Sequence, residues 1–195
     1  SDLYFNSGQD NTKMRLPRKF YKQDTVKVAQ DLLGKILVRR IGRVSLAGII
    51  TETEAYRYDD DPASHACSGI TPRNKAMFED VGRAYVYFTY GMHHCVNVVA
   101  RDDKFLAGAV LIRALEPKSG ISIMKKNRKT EDVENLTSGP GKLTMALDIT
   151  KNQYGEDLVK SKSLYIIDGI KPKKIISSSR IGIRSGLDKK WNFRF

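Results

Sequence analysis

The run from Arg43 to Tyr56, R-V-S-L-A-G-I-I-T-E-T-E-A-Y, constrains this chain more than any other stretch. Its β-branched and apolar residues read as one long strand, joined around Gly42 to a shorter one, K-I-L-V-R-R-I-G. A strand repeats every two residues, so Ile50, Glu52, Glu54 and Tyr56 are expected on one face and Ile49, Thr51, Thr53 and Ala55 on the other. Two carboxylates then share a side with an aromatic ring. A lone glutamate on a strand is ordinarily a solvated charge. Between β-branched and aromatic neighbours on a half-buried strand, Glu54 needs a partner or a chemical role, because burying an unpaired carboxylate is costly.

The remaining elements follow from the same reasoning. D-T-V-K-V-A-Q-D-L-L-G-K offers Asp24 as an N-cap, apolar positions at Val26, Ala29, Leu32 and Leu33, and Gly34 as a stop. Residues 57–78 are dense in Asp, Pro, Ser, Gly and Asn and read as a long structured loop, a common location for function. A-Y-V-Y-F-T-Y is a strand with Tyr85, Tyr87 and Thr89 on one face and Ala84, Val86, Phe88 and Tyr90 on the other, ending at Gly91. H-H-C-V-N-V-V-A and A-G-A-V-L-I-R-A-L-E-P continue the sheet. G-I-S-I-M-K-K-N-R-K reads as a basic helix, and Gly139, Pro140, Gly141 and Lys142 open another. S-L-Y-I-I-D and S-S-R-I-G-I-R-S-G are expected to close the chain as a strand pair. The sum is a mixed α/β (α+β) single compact domain around a largely antiparallel sheet.

Charge narrows the function. Thirty-four Lys and Arg against 22 Asp and Glu give a formal net charge of +12, enough to draw the protein toward phosphate backbones or anionic surfaces. Hydrophobic residues make up 41% of the chain, yet no apolar run approaches the ~20 residues of a membrane span. Cys67 and Cys95 form no C-x-x-C pair, so free thiols in a reducing compartment fit better than a disulfide framework. Residues 1–13 lack the basic and apolar regions of a signal peptide and read as a tag remnant or disordered segment, with the domain expected over residues 14–195 and starting near Met14.

Several motifs are excluded by spacing. His93 and His94 are adjacent and point to opposite faces of a strand, so they cannot chelate one metal together, and neither H-E-x-x-H nor P-C-x-x-C is present. S-G-P-G-K-L-T is not a P-loop, because Leu136 stands where the first glycine would be; its amides and Lys142 remain suited to a single phosphate. The tyrosine run is either core packing or a platform on which bases stack, and His65 is either a bonded loop histidine or a pocket residue.

T-E-T-E-A-Y, D-P-A-S-H-A-C-S-G-I-T-P-R-N-K-A-M-F, Y-V-Y-F-T-Y-G-M-H-H-C-V-N, L-I-R-A-L-E-P and S-G-P-G-K-L, in this order, resemble the alkyladenine (3-methyladenine, N-methylpurine) DNA glycosylases from about Phe20 to near the end of the chain. The resemblance implies a curved antiparallel sheet with flanking helices, and an enzyme that flips a damaged purine from DNA and cuts its N-glycosidic bond with water, without metal or cofactor. It implies Glu54 as the water-activating base, and Arg113 with a backbone carbonyl of Ile181 as holders of that water. Tyr56 and Tyr87 would sandwich the base, His65 would touch its edge, and Asn97 would disfavour a guanine-type amine. Tyr90 would fill the vacated stack, with Met92 beside it, while Arg73 and Lys142 would grip phosphates. It also implies a short strand beyond W-N-F-R-F, where this sequence stops at Phe195.

The expected partner is double-stranded DNA containing a damaged purine, bound by a monomer inside the cell, with alkylated adenine as the first substrate and hypoxanthine and ethenoadenine next. The alternative from another class is a catalytically silent basic nucleic-acid-binding module of the same fold. A third and weaker reading, a small-nucleoside hydrolase, leaves the basic excess without a purpose.

Overall fold

The computed structural model describes residues 14–195, so residues 1–13, read as a tag remnant or disordered segment, lie outside the described residues. Two short helices come first, α1 (Arg18–Tyr21) and α2 (Thr25–Asp31). Asp24 caps α2 as its position predicts, accepting from the amides of Val26 at 3.0 Å and Lys27 at 3.3 Å. Such a cap contributes about 1 kcal/mol. Val28 and Ala29 turn the buried side of α2 onto the sheet, and the Thr53 hydroxyl donates to the Ala29 carbonyl at 2.7 Å.

The hairpin of β1 (Ile36–Ile41) and β2 (Val44–Tyr56) forms around Gly42. Next come β3 (Ala84–Thr89), β4 (His93–Val99) and β5 (Ala109–Ser119), then α3 (Ile121–Arg128) and α4 (Pro140–Ala146). Three short strands follow, β6 (Leu164–Ile167), β7 (Ile176–Ser178) and β8 (Asn192–Arg194). They join one curved sheet of eight strands in the order β3-β4-β5-β2-β1-β6, with β8 pairing β2 and β7 pairing β8. Every pairing is antiparallel.

Three sequence expectations are corrected. Ile50 does not share a face with Glu54: the register on β5 steps from Ile50↔Leu115 to Glu52↔Ala114, which leaves Thr51 as an extra residue and flips the parity. Ile50 therefore packs in the main core with Ala55, while Glu52, Glu54 and Tyr56 stay together on the opposite face. The last two runs are not a strand pair. S-L-Y-I-I-D pairs with β1, and the other run leaves the sheet after Ser178, where β7 is held instead by β8, a strand not foreseen. The loop after Tyr56 also contains a short 3-10 helix, Lys75–Phe78.

The main core lies between the sheet and the helices: Val28 and Ala29 of α2, Leu32 at its C-cap, Met124 of α3 and Leu143 and Ala146 of α4 meet Ile50, Val96, Val98, Val110, Ile112 and Phe193 of the strands. Each fully buried Leu, Ile, Val or Met contributes roughly 1.5–3 kcal/mol through the water its surface sheds. With one face of the sheet so occupied, the other face of β2, β3, β4 and β5 is left for a cavity.

Candidate active site

A cavity of about 770 Å³ opens on that second face. Alternation along the strands selects its walls: Tyr85 and Tyr87 from β3, Cys95 and Asn97 from β4, Leu111 and Arg113 from β5, and Tyr56 from β2. The segment 181–185 and the start of α4 complete it, with Ile181, Gly141 and Lys142. Gly141 is a packing requirement, since a Cβ there would lie 2.8 Å from Cγ of His93.

Glu54 sits one layer behind this wall and is fully buried. Four groups donate to its carboxylate. Oε1 accepts from the Tyr56 hydroxyl at 2.9 Å and from Arg113 Nη1 at 3.2 Å. Oε2 accepts from the Ile181 amide at 2.6 Å and from Asn192 Nδ2 at 3.1 Å. A carboxylate offers about four lone-pair sites, so it is saturated. Three of the donors belong to residues that line the cavity, so Glu54 is in touch with the cavity through Tyr56, Arg113 and Ile181.

Arg113 owes its aim to the backbone. The register steps from Glu52↔Ala114 to Thr53↔Ile112, leaving Arg113 as the extra residue of a bulge on β5. Bulges re-aim a side chain next to a site. Here the guanidinium reaches both Glu54 and, through Nε, Glu52 at 3.2 Å.

Tyr56 is fixed on two sides. Its hydroxyl donates to Glu54 and burial, followed by the glutamate's charge, pushes its ionisation far above the usual tyrosine range. The guanidinium of Arg180 lies over its ring at 4.7 Å. Arg180 is in turn bound to Asp61 at 2.6 and 2.7 Å, with both side chains fully buried, and to the Ala55 carbonyl at 2.9 Å. This pair ties the 57–74 loop to the segment that carries Ile181. Sequence reasoning missed it, and only a structure could supply it: the partners stand 119 residues apart.

Across the cavity, His65 Nδ1 meets the Tyr85 hydroxyl at 3.0 Å, and its ring packs edge-on against Tyr87 with centroids 4.7 Å apart. Burial and then the Arg73 charge lower the ionisation of His65, so it holds a proton less readily than a free histidine. Burial pushes Tyr85 up to about 12 and raises Tyr87 still further. Asn97 is buried and donates to the Tyr85 carbonyl at 3.0 Å. Both cysteines are free, and burial raises the Cys95 thiol.

The remaining sequence candidates sit at the rim. Tyr90 lines the mouth, 83% exposed, in the left-handed region at φ +53°. Met92 is exposed beside it and Lys142 lies at the opening against Asn135 and Ser138. The guanidinium of the exposed Arg73 stands 5.1 Å from the centre of the Tyr87 ring. Ile181 meets Glu54 through its amide N–H, whereas its carbonyl was the group expected to matter. Asn192 is a further contact with no sequence forecast, while Glu52, expected on the Glu54 face, is found there bonded to Arg113. Among the described residues, no cluster of three His, Cys, Asp or Glu side chains could hold a metal, and no helix is long and apolar enough to cross a membrane.

The model of the Methylpurine-DNA glycosylase (MPG) family matches residues 19–195, and the chain belongs to that family. A protein from Carboxydothermus hydrogenoformans is 49% identical over 182 residues, covering 92% of this chain and 94% of its own length. One from Prosthecochloris aestuarii is 47% identical over 180 residues, 91% of this chain and 86% of its own. Both are provisionally named 3-methyladenine DNA glycosylase.

Proposed function

We propose that this protein excises alkylated purines from duplex DNA by hydrolysis, with Glu54 as the base. The observation that carries the reading is a buried carboxylate, ringed by donors, directly behind a cavity walled by tyrosines. Family membership and the names of its relatives support the substrate class, alkylated adenine first. Acting on DNA, the protein would work inside the cell, as a monomer.

In this reading the damaged nucleotide swings out of the duplex at a cost of a few kcal/mol, least for a weakly paired base. Tyr56 and Tyr87 flank the purine, His65 reads its edge, and Asn97 limits what fits beside it. Tyr90, with Met92, occupies the gap in the stack, where an aromatic side chain contributes about 1–3 kcal/mol. Lys142 and Arg73 hold phosphates without sequence preference.

The C1′–N bond breaks first and its electrons leave with the purine, while the charged carboxylate of Glu54 stabilises the oxocarbenium-like sugar. A water entering between Tyr56, Arg113 and Ile181 takes the place of one donor on Glu54, bonds through its oxygen to the sugar C1′ and gives its proton to the carboxylate. The products are a free base and an abasic site, with no strand cut.

The test is base release from duplexes carrying 3-methyladenine, hypoxanthine or ethenoadenine. Glu54→Gln should lower the rate roughly 10²–10⁴-fold while lesion binding persists. Equal rates would remove Glu54 as the base. Salt-sensitive binding with no release on any lesion would identify the silent module instead.

A further inference from the structure

Behind the cavity wall, aromatic rings and guanidinium groups alternate. The Arg180 guanidinium lies 4.7 Å from the centre of the Tyr56 ring and 5.2 Å from that of Trp191. The Arg57 guanidinium lies 4.8 Å from the Trp191 ring and 4.6 Å from the Phe105 ring. Of these five side chains only Tyr56 lines the cavity, so the other four back it. Arg57 is itself held, by Asp24 at 2.8 Å and by Asp60 at 3.0 Å. Guanidinium planes stack on aromatic faces, and the attraction strengthens when water is excluded, as it is from the fully buried Arg180 side chain.

Arg180 also brackets Tyr56 along the backbone. Its Nη1 donates to the Ala55 carbonyl, on one side of Tyr56, at 2.9 Å, and to Asp61 Oδ2 at 2.6 Å. The same Oδ2 accepts from the Arg57 amide, on the other side, at 3.0 Å. Nη2 completes the pair on Asp61 Oδ1 at 2.7 Å, and Gly186 leaves it room, since a Cβ there would lie 2.8 Å from Nη2. The next residue in the chain is Ile181, whose amide donates to Glu54 at 2.6 Å. One guanidinium therefore governs two of the four donors on Glu54, the Tyr56 hydroxyl through its ring and the Ile181 amide through the chain.

We propose that Arg180, seated against Trp191 and paired with Asp61, is a positioning residue of this site: it holds the Tyr56 ring as a fixed wall for the purine and the Ile181 amide against Glu54. The inference deepens the proposed function and rests on it for its catalytic meaning. Reacting groups tolerate little displacement, and about 1 Å can cost on the order of 10²-fold in rate. Lysine is no substitute for arginine here, because an ammonium lacks both the plane that fits between two rings and the fork that grips both Asp61 oxygens. Arg180→Lys thus keeps a positive charge beside Asp61 while removing the plane and the fork.

The experiment pairs two readouts. With protein in excess over lesion duplex, the single-turnover rate constant for base release does not depend on how much of the protein is folded. Hydrogen exchange at the Ile181 amide, followed by NMR against amides of the central strands, reads the same clamp without catalysis. Arg180→Lys should lower the rate constant roughly 10- to 100-fold and speed Ile181 exchange on the order of tenfold more than exchange in the central strands. Trp191→Leu, which removes the ring beneath Arg180, should lower the rate constant roughly 3- to 10-fold, and Trp191→Phe, which supplies a ring again, should recover most of that loss. The Trp191 pair decides the question should Arg180→Lys fail to fold by circular dichroism. An unchanged rate constant in Arg180→Lys, equal rate constants for Phe and Leu at position 191, or Ile181 exchange that rises only as much as that of the central strands overturns the proposal. Selectively faster Ile181 exchange, with no base release from any lesion duplex even by the natural sequence, would uphold the clamp while refuting the catalytic reading.

Discussion

The buried end of β2 and the tip of the β3–β4 hairpin belong to one sheet and are built on opposite terms. At Glu54 every acceptor site is filled, every partner is itself held, and solvent is excluded. At Tyr90 a large ring is 83% exposed on a two-residue turn in which both Tyr90 and Gly91 have positive φ, +53° and +64°. Such turns favour Asn and Gly, and a tyrosine there costs on the order of 1–2 kcal/mol. Chemistry needs fixed groups and a dry setting, so the first region spends contacts on rigidity. A group that must enter another molecule is left uncovered, and the second accepts strain to present it.

That contrast can be broken in four places, from the largest effect to the smallest. Asp61→Ala should be the most damaging to the fold, because it strands the buried Arg180 charge beneath Tyr56. A loss of about 3–5 kcal/mol, or on the order of 10 °C in Tm by scanning calorimetry, is expected. Tyr90→Ala should do the reverse. Stability should stay within about 1 kcal/mol of the natural sequence, while lesion-duplex binding weakens roughly 5- to 100-fold. A comparable loss at both readouts would show the two regions to be coupled. Lys142→Ala should reduce the slope of log K against log salt by about 0.9, measured by fluorescence anisotropy, with little change in lesion preference.

The smallest effect concerns His65. Its folded state holds a proton less readily than the unfolded chain, through burial and Arg73. As pH falls through the ordinary histidine range, the unfolded chain takes up the extra proton and stability declines. Replacing His65 with Asn should remove that part of the acid sensitivity, read as a smaller fall in Tm between pH 7 and pH 5.

Much of this architecture is legible in the residues alone. The Asp24 cap, the Gly139-Pro140 helix start and the shared face of Tyr85, Tyr87 and Thr89 follow from local rules, and the structure shows each. Glu54 and Tyr56 face the same side for the same reason. Local rules fail where a partner strand intervenes. Ile50 goes to the core face because β5 imposes a bulge at Thr51, and no residue in T-E-T-E-A-Y announces it. Asn192 and Arg180 escape notice because neither lies in a periodic run near Glu54, and both act across more than a hundred residues of chain.

The sequence by itself determined which side chains share a face wherever no bulge intervenes and where α2 and α4 begin, since both depend on neighbours a few positions away, and it determined the net basic charge, which is a sum. Only the tertiary structure decided which groups surround Glu54. Hydrogen bonds and ion pairs are short-ranged, and β5, the segment after β7 and β8 bring Arg113, Ile181 and Asn192 within about 3 Å of one carboxylate from parts of the chain far from Glu54 in sequence.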